Sequence, residues 1–120
     1  MKNNIVRDKS FDFAIRIVKL YQYICNGKKE FVLSKQLLRS GTSIGAMIRE
    51  AEHAESRNDF IHKFAIAQKE ANEVVYWLEL LKATDYLNEK EFENIYNDAI
   101  EILKLITSIL KTSKNQSVLR

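Results

Sequence analysis

Apolar positions recur at threes and fours along almost the whole chain, a spacing that predicts helices rather than strands. The first line is Phe11, Ala14, Ile17, Val18, Tyr21, Ile24 and Cys25. Ser10 is its expected N-cap, with Asp8 as the rival choice, and Asn26-Gly27 its expected stop, the glycine free to turn left-handed. After the short basic connection GKKEFVL, Ser34 can cap a second helix whose line is Leu37, Ile44, Ile48 and Ala51, widened by Leu38 and Met47. Ser56 with Asp59 three residues on opens a third helix carrying Phe60, Ile61, Phe64, Ala67, Ala71, Val74, Val75, Leu78 and Leu81. Asn88 with Glu91 repeats that signature before Phe92, Ile95, Tyr96, Ala99, Ile102, Leu103, Ile106, Ile109 and Leu110. The predicted helices cover about 10–26, 34–55, 57–83 and 88–113, with a tail, 114–120, expected to fray.

Four amphipathic segments with short connections predict an all-α fold, an antiparallel up-down-up-down four-helix bundle forming one domain over 1–120. The apolar arcs of the third and fourth helices are wider than an internal core requires. Such excess predicts a partner, and the default partner is a second copy of the chain.

The second helix carries two further features. Gln36, Arg39, Ser43, Ala46 and Glu50 keep the three-and-four rhythm beside its apolar line, which predicts a structural polar seam. Gly41 and Gly45, one turn apart among Ser40, Thr42, Ser43 and Ala46, open a groove for the close approach of another helix.

Composition supports long helices, since the chain has no proline and three glycines. No apolar run of signal-peptide or membrane-span length occurs, and Cys25 stands alone as a small buried hydrophobe, so a soluble cytoplasmic protein is expected. Net charge is only +3, but residues 1–58 hold 11 Lys and Arg against 6 Asp and Glu, whereas 59–120 hold 8 against 10. The basic half contains the small-residue stretch.

Three chemical readings follow. Gly41-Thr42-Ser43-Ile44-Gly45 matches G-x-S-x-G literally, but that nucleophile elbow needs a strand feeding a strained turn, and this stretch reads as helix. Glu50-x-x-His53 and Asp59-x-x-His62 have the spacing of carboxylate-bundle metal ligands, yet both flank a loop at a bundle end rather than mid-bundle positions. No catalytic residue, metal or cofactor is therefore expected. The basic set Lys28, Lys29, Lys35, Arg39 and Arg49, with Arg16 and Lys19 nearby, is a candidate nucleic-acid surface, because lysine and arginine bind phosphates without needing a sequence motif.

The stretch RSGTSIGAMIREAEHAESRNDFIHKFAIAQKEANEVVYWLELL resembles the four-helix-bundle family of proteins encoded within intervening sequences of bacterial 23S rRNA genes. The likeness rests on Gln36, Arg39, Ser43, Ile44 and Glu50, on Ser56 and Phe60, and on the Glu-rich third helix before Tyr86-Leu87. Met47 and Ala51 depart from it, standing where many members carry Asn and Gly. The family also resembles the accessory protein of diversity-generating retroelements, a relative thought to contact RNA and a reverse transcriptase. The resemblance implies a homopentameric ring with a basic surface and no known enzymatic activity. The expected function is non-enzymatic RNA binding by an oligomeric bundle. The alternatives are a scaffold that docks a partner enzyme, such as a nucleic-acid-processing protein, and a metal-binding carboxylate bundle.

Overall fold

In the computed structural model, residues 2–119 are described, with side chains described for 5–116. Four α-helices follow one another: α1 (Lys2–Tyr23), α2 (Leu33–Glu52), α3 (Arg57–Ala83) and α4 (Glu89–Leu119). They pack α1 on α2, α2 on α3, α3 on α4, and α4 back on α1. The result is an all-helical rod of 52 × 22 × 22 Å, compatible with a four-helix bundle, and no strand occurs among the described residues. No described helix is long and apolar enough to cross a membrane.

Buried side chains run the full length of the rod. Val6, Phe13 and Ile17 from α1 meet Leu37, Ile44 and Ile48 from α2, Phe64, Val74 and Leu78 from α3, and Ile95, Ile102 and Ile106 from α4. Ile17, Ile24 and Cys25 of the line expected for the first helix are buried, but the rest of the line is corrected. Phe11 is 51% exposed and Val18 38%, while Val6 and Phe13 are inside. The first helix carries two apolar lines, and the one running from Val6 through Phe13 and Ile17 to Ile24 is the one that packs against the other helices.

The ends of α1 also differ from expectation. The helix runs through Ser10 without a break, and the Ser10 hydroxyl, buried against α2, donates to the Arg7 carbonyl. At the other end Asn26-Gly27 is not the cap. Ile24–Lys28 winds into a wider π-type turn, in which the Lys29 N–H reaches back to the Ile24 carbonyl. The left-handed residue is Lys29, at φ 58°, and no glycine has positive φ.

Ser34 likewise does not cap α2. It lies inside the first turn, and Glu30 takes the capping role: its carboxylate accepts from the backbone N–H groups of Val32, Leu33 and Ser34 at 2.9, 2.9 and 2.7 Å. These are three of the four donors that a helix start leaves unpaired. Burial pushes the Glu30 carboxyl up, but those amides outweigh it and hold it below the usual carboxylate range.

The later caps follow the sequence signals. Ser56 Oγ accepts from the Asp59 N–H, and Asn88 and Glu91 exchange side-chain to backbone bonds reciprocally. The α3 stop uses Asp85 at φ 67°, with the Tyr86 N–H donating to Leu81 and the Asp85 N–H to Lys82, a Schellman closure without glycine. The fourth helix continues to Leu119, beyond the end expected near 113, so the tail up to that residue is helical.

Gly41 and Gly45 serve the approach of α1. A Cβ on Gly41 would lie 2.8 Å from both Ile17 Cγ1 and Ile17 Cγ2, and one on Gly45 would lie 3.4 Å from Ser10 Oγ. Partner numbers along the other seams descend as the first helix ascends. Lys9 meets Glu101, Arg16 meets Asp98 and Asn94, and Tyr23 meets Glu91. Between α2 and α3, Arg39 meets Glu70 and Glu73, and Glu50 meets Lys63.

Candidate nucleic-acid interface

The five basic residues singled out by sequence do not form one patch. Lys28 and Lys29 sit in the connection after α1, and Lys35 lies in the first turn of α2, all three exposed at one end of the rod. None of these three makes an ion pair among the described residues. Arg39, one turn further along α2, turns toward α3, where its guanidinium pairs with Glu70 at 3.2 Å and with Glu73. The bonds to those two carboxylates hold Arg39 above its ordinary pKa despite partial desolvation, so its charge is already matched. Arg49 is 14 residues beyond Lys35, about 21 Å along the helix at 1.5 Å per residue. Its guanidinium lies 5.3 Å from the Phe11 ring centre. Arg16 is tied to Asp98 and Asn94.

Of the polar residues expected in the seam, Gln36, Arg39, Ser43 and Glu50, two carry it. Arg39 and Glu50 cross to α3, Glu50 accepting from Lys63 at 3.0 Å. Ser43 instead turns back on its own helix and donates to the Arg39 carbonyl at 2.6 Å. Gln36 is exposed, and its carbonyl receives the Ser40 hydroxyl at 3.0 Å. The partners on α3 complete the seam. Glu73 also accepts from Trp77 Nε1 at 3.2 Å; burial pushes its carboxyl up, and the Trp77 and Arg39 bonds bring it below the ordinary value. The mixed row Glu70, Glu73 and Trp77 on the third helix was the available signal for this.

Gly41 to Gly45 lies wholly within α2, so Ser43 has no strand-to-helix turn to expose it as a nucleophile. His53 and His62 are exposed, Glu50 is taken by Lys63, and among the described residues no three His, Cys, Asp or Glu side chains converge on a metal-sized site. Cys25 is buried, with Sγ 3.7 Å from Ser34 Oγ.

Sequence reasoning also misplaced the exposed apolar surface. Among the described residues, α4 leaves no large apolar side chain well exposed and α3 leaves only Tyr76, although Ile66, Leu80 and Ile100 remain partly exposed. The surplus is on α1 and the connection after it: Phe11, Ile15 and Val18 form an outward stripe, and Tyr23, Phe31 and Val32 are exposed in the stretch that also carries Lys28 and Lys29. Beside the stripe, a groove of about 290 Å³ between α1 and α2 is lined by Phe11, Ala14, Thr42, Gly45 and Ala46, with Arg7, Ser10 and Arg49 also on its walls.

The α3–α4 turn shares the lysine end of the rod, through the bond between Tyr23 and Glu91. Of its carboxylates, Glu89 and Glu91 are engaged by Lys82 and by Asn88 and Tyr23, while Asp85 is exposed. Glu91 is held below the usual range by the Asn88 N–H first and the Tyr23 hydroxyl next, with the Lys28 charge contributing less. Positive charge at this end is thus concentrated on the α1–α2 connection.

Comparison with known proteins matches this arrangement along nearly the whole chain. A solved structure from Bacteroides thetaiotaomicron, a protein with unknown function from the S23 ribosomal protein family, is similar at 62% identity and a TM-score of 0.91. The match covers 92% of this chain and 99% of that one. Comparison with curated proteins returns no match. The family model described as 23S rRNA-intervening sequence protein matches residues 2–108, and the chain belongs to that family.

Proposed function

We propose that the chain is a non-enzymatic, cytoplasmic RNA-binding protein, an antiparallel up-down-up-down four-helix bundle that assembles into a homopentameric ring. The descending partner numbers between α1 and α4 and between α2 and α3 support the antiparallel order. The observation that carries RNA binding is the exposed set Lys28, Lys29 and Lys35, unpaired at one end while Arg16 and Arg39 are spent on internal carboxylates. Three lysines neutralise few phosphates, but a ring presents the set five times. Membership in a family named for an rRNA intervening sequence fits the same reading.

Lys28, Lys29 and Lys35 changed together to Glu should weaken binding to a structured rRNA fragment by about 10-fold or more at low salt and flatten its salt dependence. Arg49→Glu should leave affinity within about twofold. Unchanged affinity in the triple variant, read by fluorescence anisotropy from 50 to 200 mM salt, would refute the basic end and favour a protein partner.

The stripe of Phe11, Ile15 and Val18 with its adjoining groove is the surface that supports assembly. Ile15→Asp with Val18→Asp should reduce the oligomer to a monomer of unchanged helicity, because both side chains already face water within the subunit. Sedimentation velocity reads the outcome. An oligomer that survives both aspartates would move the interface elsewhere.

A further inference from the structure

The α1–α2 connection holds its apolar side chains outward on a fixed frame. Phe31 is 57% exposed and Val32 71%. The backbone beneath them is nevertheless pinned: Glu30, itself buried, accepts from three successive amides, and the Ser34 hydroxyl donates to the Glu30 carbonyl at 2.9 Å. On the other side Lys29 is locked left-handed by its bond to Ile24. The backbone on both sides of Phe31 is therefore held in place.

Tyr23, also well exposed, is fixed from its far end by the hydroxyl bond to Glu91, and Lys28 Nζ lies 5.9 Å from its ring centre. Lys29 stands two residues before Phe31, and Lys35 stands one helical turn after it. An exposed phenyl on a fixed backbone and a tethered tyrosine ring, with lysines between and after them in the sequence, suit a strand whose bases are unstacked, since each base offers a π face and each linkage a negative charge. A duplex offers only the charge, because its bases are already stacked on one another. Tyr23, held in advance through its hydroxyl, also loses little freedom when it is covered.

We propose that this connection is a stacking platform for unpaired nucleotides of single-stranded RNA. Phe31 and Tyr23 take base faces, and Lys28, Lys29 and Lys35 take the flanking phosphates. The inference rests on the RNA-binding reading above and narrows it from charge alone to a strand with open bases.

The test compares an unstructured 12-nucleotide oligouridylate with a 12-base-pair RNA duplex, each titrated with the intact chain and with Phe31→Ala. Loss of one stacked base should weaken oligouridylate binding by about 10-fold, leave the salt slope unchanged and leave duplex binding within about twofold. Phe31→Trp should retain single-strand affinity and add a fluorescence signal that the oligonucleotide quenches. The substitution lies on the surface, and circular dichroism should confirm unchanged helicity. Wild-type binding to neither RNA would defeat the RNA reading itself. RNA binding that Phe31→Ala leaves intact, or weakens equally on both RNAs, would overturn the stacking platform while leaving phosphate binding in place. A changed sedimentation coefficient without a change in single-strand affinity would assign the tip to a second copy of the chain and overturn it too.

Discussion

Gly41→Ala should lower stability by up to about 2 kcal/mol, although alanine is the better helix former. Helix propensity alone favours the substitution by about 1 kcal/mol. Against this, the new methyl would sit 2.8 Å from Ile17 Cγ1 and Cγ2 and 3.2 Å from Ile17 Cβ, with Ile17 fully buried and branched at the atom that must move. Overpacking of this kind costs about 1–3 kcal/mol, and the backbone spacing of α1 on α2 would have to widen to relieve it. Gly45→Ala is the internal control. Its methyl meets Ser10 at 3.4 Å or more, ordinary contact, so the propensity gain should survive and stability should rise slightly. Thermal unfolding should therefore move in opposite directions, with Gly41→Ala falling by about 4–8 °C. Equal shifts in the two variants would show that Ile17 yields and that the approach of α1 does not depend on Gly41.

The second large effect is expected at Glu30. Removing its carboxylate with Glu30→Ala leaves the amides of Val32, Leu33 and Ser34 without their acceptor, at an estimated cost of about 2–3 kcal/mol. Its pH dependence has a definite sign. The folded carboxyl lies below its unfolded value, so its contribution is complete above the unfolded pKa of about 4.3 and is lost as pH falls through the lower folded value. Glu73 and Glu91 are depressed too, so the useful quantity is the difference between wild type and Glu30→Gln. That difference should shrink as pH falls from 7 to 3. A gap in melting temperature that stays constant over this range would show that the charged form of Glu30 is not what holds the turn.

These two sites also mark where the sequence was readable and where it was not. The small-residue groove was legible because glycine spacing maps directly onto a helix face, and α1 now occupies that groove. The caps of α3 and α4 were legible because Ser56, Asn88 and Glu91 act within three residues of themselves. The cap of α2 was not. Glu30 lies outside the usual N-cap position and reaches forward over four residues, while Ser34 offered a more conventional and wrong candidate.

The phase of α1 failed for a different reason. Phe11, Ile15 and Val18 are as periodic as Val6, Phe13 and Ile17, and only the other three helices decide which line turns inward. The candidate site suffered the same limit. Charge composition cannot distinguish Lys35, left to solvent, from Arg39, bound to two carboxylates some thirty positions later in the chain. Equally, nothing in the local pattern says that Phe31 and Val32 remain outside.

The seam between α1 and α4 ties the two ends of the chain together with charge. Lys9 and Glu101 are 92 residues apart and Arg16 and Asp98 are 82 apart, whereas the ion pairs joining α2 to α3 span 13 to 34 residues. The most distant partners in the chain are thus held in part by exposed ion pairs, the kind of contact worth least in water and weakened most by salt. Loop-closure entropy falls on the same seam. Added salt should therefore loosen the charged part of this seam while leaving the apolar core that α1 and α4 also share intact.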